Sequence, residues 1–239
     1  MKINNNTFEQ LKSLMYESNT NGYKASKQLE YYGYFTKIGN FLEIEDFFKG
    51  EKYSCEPDDS QYTFHTHPIT FTKKYFTYRN NNIPNIISDA DLKSTILYNN
   101  LIDGKNIFDM VICPIGIYIY GVDPQGSLIT EWQKIKSDTW FWKKNEMIEK
   151  FSKIIDYKIH KLNKIEWKYV GILDNKEKEM KRIYYNRSRY HPYKQMEICM
   201  NENIEKSTYM KKYLQALQNL GIKTFFFSWN NRQNIQFDF

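Results

Sequence analysis

Cysteine and histidine are both scarce, with three and four copies in 239 residues. The cysteines stand at 55, 113 and 199, odd in number and far apart. That pattern excludes a secreted disulfide framework and points to a reducing compartment. Proline and glycine are also sparse, at six and ten. No Pro-rich or Gly/Ser-rich linker divides the chain, and no internal repeat is visible. Long apolar runs are missing as well. The longest, Met110 to Val122, is broken by Pro114, Gly116 and Gly121, short of the roughly 20 apolar residues a spanning helix needs. The first residues, MKINNNTFEQLK, are too polar for a signal peptide. The expectation is a soluble, intracellular, cytoplasmic protein with no membrane partner. The formal net charge of +6 allows an acidic partner without requiring one. Aromatic residues reach 17%, but Tyr, Phe, Asn, Lys and Ile share A/T-rich codons, so their number carries no stacking argument.

Periodicity predicts an α+β chain in which helices and strands are interspersed. A helix over Thr7–Ser18 precedes strands at Glu30–Thr36, Phe41–Phe48 and Gln61–His67, the last stopped by Pro68. Residues Thr70–Asn85 read as a surface loop, and Ser88–Leu101 as a helix with Ser88 as its N-cap. Two strands, Phe108–Pro114 and Gly116–Val122, lead to a turn at Asp123–Gly126. Beyond residue 135 the pattern changes. A long amphipathic helix spans Phe141–Leu162, short strands follow at Ile165–Ile172, Arg182–Tyr185 and Met196–Met200, and a helix over Glu202–Leu220 ends at Gly221 before a strand at Thr224–Trp229. The expected division is a first domain over 1–134 and a C-terminal helix-strand extension over 135–239.

Two of the four histidines form His65-Thr66-His67. On a strand, residues i and i+2 share a face, so the two imidazoles project together as two ligands of one metal must. A bare His-x-His also occurs as two exposed neighbours with no ligand. Asp91 supplies a third candidate, in the first turn of the helix beginning at Ser88, where the helix N-terminus favours a carboxylate. Ser-x-x-Asp is equally a capping pattern. Two His and one Asp leave a fourth zinc position open, the mark of a catalytic site. A group that accepts a proton from water is then needed. Glu30 on the first long strand is the candidate, with Glu43 and Glu45 as rivals.

The order Glu30-Tyr-Tyr-Gly33, then His65-Thr-His67-Pro68, then Ser88-Asp-Ala-Asp91 resembles the signature of the JAMM/MPN zinc metalloproteases. Residues 109–120 resemble the strand pair that follows the helix in that family, and the likeness covers roughly residues 5–130. The resemblance implies a three-layer fold of the MPN/cytidine-deaminase kind, with a central mixed sheet flanked by helices. It implies zinc held by His65, His67 and Asp91, Glu30 as general acid/base, and Ser88 as a hydroxyl donor to the oxyanion. It further implies hydrolysis of an isopeptide or peptide bond, commonly in a ubiquitin-like conjugate. One departure is the twenty residues between His67 and Ser88, longer than the compact family spacing, which implies an inserted loop beside the site. A second is the portion beyond about 135, which has no counterpart in the family core.

Two other functions compete. MPN domains also resemble pure scaffolds, and A/T-rich members look at home in large DNA viruses, where the chain would be a particle or complex component. The segment Met180–Lys194 holds Lys181, Arg182, Arg187, Arg189 and Lys194 among aromatics with no acidic residue, a composition that suits nucleic acid and equally a solvated basic loop. No cysteine lies in a nucleophile motif, His191 before Pro192 reads as structural, and His160 reads as a helix-end residue.

Overall fold

The computed structural model describes residues 1–20, 29–50, 62–67, 87–97, 108–113, 115–139, 143–163, 208–230 and 235–238. One mixed sheet of eight strands forms the centre: β1 (Lys2–Ile3), β2 (Tyr31–Ile38), β3 (Phe41–Lys49), β4 (Tyr62–Thr66), β5 (Phe108–Cys113), β6 (Gly116–Val122), β7 (Ile222–Ser228) and β8 (Ile235–Gln236). Their spatial order is β7-β6-β5-β4-β2-β3-β1-β8. The β4–β5 and β1–β3 pairs are parallel and the remaining pairs antiparallel. Five helices accompany the sheet among the described residues: α1 (Asn5–Thr20), α2 (Asp89–Ser94), α3 (Ser127–Ser137), α4 (Lys144–Asn163) and α5 (Thr208–Leu220). This is an α+β fold.

The strand β4 takes its two faces from simple alternation. Tyr62, Phe64 and Thr66 are buried, while Thr63 and His65 between them are partly open. Tyr62 and Phe64 pack with Phe8, Leu11, Leu14 and Met15 of α1 and with Met110, Ile112, Ile117 and Ile119 of the neighbouring strands. The opposite face of β5 and β6, including Val111, Cys113, Tyr118 and Tyr120, packs under Leu92 of α2, Trp132 of α3, Phe151 and Ile155 of α4, and Leu217 of α5. Each fully buried side chain of this size contributes about 1.5–3 kcal/mol. Strands β5 and β6 are buried along their whole length, as centre strands covered on both sides must be. His65 and His67 alternate onto the face that carries α2, which lies between β4 and β5 in the chain.

The strands foreseen over 30–36, 41–48, 61–67, 108–114 and 116–122 are present within a residue or two, as is the helix α1, and α4 within three. Three features differ from expectation. Residues Ser127–Ser137 form α3, capped at Gly126 by backbone alone with no side-chain hydrogen bond. The two-residue strands β1 and β8 complete one side of the sheet. Strand β7 begins at Ile222, directly after Gly221, whose φ of 95° turns the chain out of α5. The strands expected at Ile165–Ile172, Arg182–Tyr185 and Met196–Met200, the loop Thr70–Asn85 and the basic segment Met180–Lys194 lie outside the described residues.

Gly33 is fixed by space. A Cβ there would lie 2.4 Å from the Asp46 carbonyl oxygen and 2.7 Å from Cζ of Phe64. Gly33→Ala should therefore destabilise the protein by about 1–3 kcal/mol, the usual cost of overpacking, measured as a lower denaturant midpoint.

Candidate metal centre

His65 lies on β4, His67 just beyond its end, and Asp91 in the first turn of α2. The backbone holds each in turn. His65 pairs in register with Tyr32 on one side and Val111 on the other. Past the strand end, the His67 N–H still donates to the Ile112 carbonyl at 2.8 Å. Ser88 caps α2: its Oγ accepts from the Asp91 N–H at 3.1 Å, and its own N–H donates to Asp91 Oδ2 at 2.9 Å. This reciprocal cap fixes the Asp91 carboxylate against the helix start.

The three side chains converge. His65 Nε2 lies 3.0 Å from His67 Nε2. Asp91 Oδ1 is 3.4 Å from His65 Nε2, and Oδ2 is 3.1 Å from His67 Nε2. Zinc bonds of about 2.0–2.1 Å in a tetrahedral arrangement place ligand atoms about 3.3 Å apart. The observed separations bracket that value. The donor set of two imidazoles and one carboxylate suits a divalent cation such as zinc, and it leaves room for a fourth ligand. The side chains keep 14%, 16% and 19% of their surface exposed, enough for a water to reach them.

The same crowding governs the charges. Burial pushes the His65 imidazole down, but Asp91 foremost, with Glu30 and Asp109, pulls it up to about 9. Burial works against the Asp91 carboxylate too, and His65 and His67 outweigh it, holding the group well below the usual carboxylate range. For Glu30 burial wins and raises the carboxyl above its ordinary value, against the pull of the two imidazoles and with a further push from Asp91. Glu30 is thus coupled electrostatically to all three converging groups. Its rivals stand elsewhere. Glu43 pairs opposite Thr36, toward the far end of the β2–β3 hairpin, and Glu45 is exposed and accepts the Thr36 hydroxyl. His160 is exposed on α4, and the buried Cys113 thiol donates to the Gly116 carbonyl at 3.1 Å. His191 lies outside the described residues.

A support that the sequence reading missed lies beneath His65. Asp109 of β5 is 6% exposed and accepts hydroxyl bonds from Thr63 and Thr95. Thr63 is two residues before His65 on β4, and Thr95 is four residues after Asp91, one turn along the same helix face. One carboxylate therefore ties the strand of His65 to the helix of Asp91. The separate hydroxyls gave no motif to read. An Asp at the start of a buried strand was the available signal, since an interior carboxylate requires partners.

No family model, curated protein or solved structure matches the chain.

The pH dependence has a defined sign. In the metal-free protein the raised imidazole of His65 contributes stability that is complete below its ordinary value of 6.5 and is lost as pH rises through about 9. Metal binding requires the neutral ring. Zinc affinity, measured by competition with a chelator, should rise about tenfold per pH unit as pH approaches 9, while the metal-free melting temperature falls over the same interval.

Proposed function

We propose that the chain is a zinc-dependent hydrolase of the JAMM/MPN kind, cleaving an isopeptide or peptide bond in a ubiquitin-like conjugate. The observation that carries this reading is the convergence of His65, His67 and Asp91, whose ligand atoms lie within 4.8 Å of one another, with the Glu30 carboxyl coupled to all three. When bound, zinc would supply Lewis acidity, polarising the scissile carbonyl and acidifying the attacking water. Glu30 would accept a proton from the attacking water and return it to the departing amine. A carboxyl beside the site can both accept that proton and give it back. The Ser88 hydroxyl, spent as an acceptor toward the Asp91 N–H, retains its own proton for the oxyanion. The mixed sheet with α1 on one face and α2 on the other agrees with the three-layer arrangement that the sequence resemblance implies.

A second reading is an interaction protein built on the same fold. It is favoured by apolar residues left open on the β2–β3 hairpin: Ile38, Phe41, Phe47 and Phe48 are all at least 40% exposed. A particle or complex component would use such a surface. A nucleic-acid role through Met180–Lys194 would show as affinity falling steeply with salt. No helix among the described residues is long and apolar enough to cross a membrane.

Glu30→Gln separates the two principal readings. In the hydrolase it should keep its zinc content and melting temperature while turnover of a lysine isopeptide-linked ubiquitin conjugate falls about 10²–10⁴-fold, the usual contribution of a general base. A wild-type protein that holds zinc, cleaves no conjugate and enters a stable assembly would favour the interaction protein.

A further inference from the structure

The ladder between β2 and β4 ends at the pair Tyr32–His65. Carried two residues further, the same antiparallel register sets residue 30 opposite residue 67. On that register Glu30 falls opposite His67, just where the regular rungs stop. A different set of bonds continues the join. The Tyr31 N–H donates to Thr66 Oγ1 at 2.8 Å. The Thr66 hydroxyl donates to Ser18 Oγ at 3.0 Å, and the Ser18 hydroxyl donates to the Leu29 carbonyl at 2.8 Å. Every proton in this chain has one donor and one acceptor, all running in one direction. It begins and ends on the two residues flanking Glu30, and one of its two middle members, Thr66, lies between the two histidines. Thr66 and Ser18 are both 0% exposed, so no bulk solvent replaces a lost bond.

We propose that Thr66 and Ser18 form a hydroxyl clasp that positions the Glu30 carboxylate against the metal centre. The inference rests on the hydrolase reading for its catalytic consequence, but the clasp itself does not. The alternation of β4 separates the roles. His65 points to the face of α2, and Thr66 points to the opposite face, toward α1. The clasp therefore acts from behind the strand, touches neither metal nor substrate, and works only through the backbone of residues 29–31. Glu30 itself precedes β2 and has no rung of its own to β4; its carbonyl accepts from the Gly50 N–H at 2.8 Å. That bond ties Glu30 to the β3 side, and the clasp ties its two neighbours to β4 and α1. Consecutive hydroxyl bonds in a dry interior also polarise one another, so removing the middle one weakens the rest.

The decisive comparison is Thr66→Val, which keeps the shape and removes the hydroxyl, against Thr66→Ser, which keeps the hydroxyl. Amide hydrogen exchange in the metal-free protein reads the clasp without any turnover. In Thr66→Val the Tyr31 amide should exchange at least about tenfold faster, the scale of one lost buried bond, while Met110 and Ile112 in the core strand keep their protection. In Thr66→Ser all of them should behave as in wild type. With zinc bound and the lysine isopeptide-linked ubiquitin conjugate as probe, Thr66→Val should lose about 10- to 100-fold in kcat with KM and zinc affinity unchanged, the scale of a misplaced catalytic group. Thr66→Ser should restore it. Ser18→Ala, which leaves the Thr66–Tyr31 bond in place, gives an intermediate loss and serves if Thr66→Val fails to fold. Unchanged Tyr31 exchange in Thr66→Val, or uniform loss of protection across the core, would overturn the clasp. Unchanged kcat in a variant whose Tyr31 amide is released would overturn its positioning role. A wild-type protein that binds no zinc would instead remove the hydrolase reading, leaving the exchange result to decide the clasp.

Discussion

Two imidazole nitrogens held 3.0 Å apart repel each other when both rings present lone pairs, and repel more strongly when both are protonated. The arrangement is stable only with a proton or a cation between them and an anion close by. Asp91 is that anion, and a divalent ion would satisfy all three groups at once. The neighbouring architecture depends on this constraint. Strand β4 ends with its histidines at the helix start, and α2 begins with a carboxylate in its first turn.

The locks work from opposite sides of the sheet. On the α2 side, Asp109 gathers the hydroxyls of Thr63 and Thr95, joining strand to helix through one buried carboxylate. On the α1 side, Thr66 and Ser18 tie β4 to the residues around Glu30. The Ser88–Asp91 cap completes the set, and its carboxylate does double duty. Oδ2 accepts the Ser88 N–H and also approaches His67, which a carboxylate oxygen with two lone pairs can sustain. Helix capping and metal ligation are therefore compatible uses of the same Asp.

The sequence carried the parts of this picture that follow from spacing. His65 and His67 on one strand face, Ser88 as N-cap and Asp91 three residues later are all local patterns, and each is found where its period demanded. The amphipathic helix near 141–162 was legible for the same reason. Other features have no local signature. Strands β1 and β8 have two residues each, too short for any alternation to register. Helix α3 starts at a glycine with no capping side chain, so the usual start signal is missing. Thr66, Thr95, Ser18 and Asp109 gain their roles only from what the fold sets beside them, across separations of up to 48 residues. Glu30 stood among rivals until the β2–β3 register set Glu43 and Glu45 apart from the histidines.

The central claim is that His65, His67 and Asp91 hold one divalent metal. Anomalous diffraction at the zinc absorption edge from zinc-loaded crystals tests it directly. The account predicts a single strong peak about 2 Å from Nε2 of each histidine and from an Asp91 oxygen, with one further light ligand completing the shell. Histidines refined with no peak between them, or zinc bound only at other side chains, would contradict it.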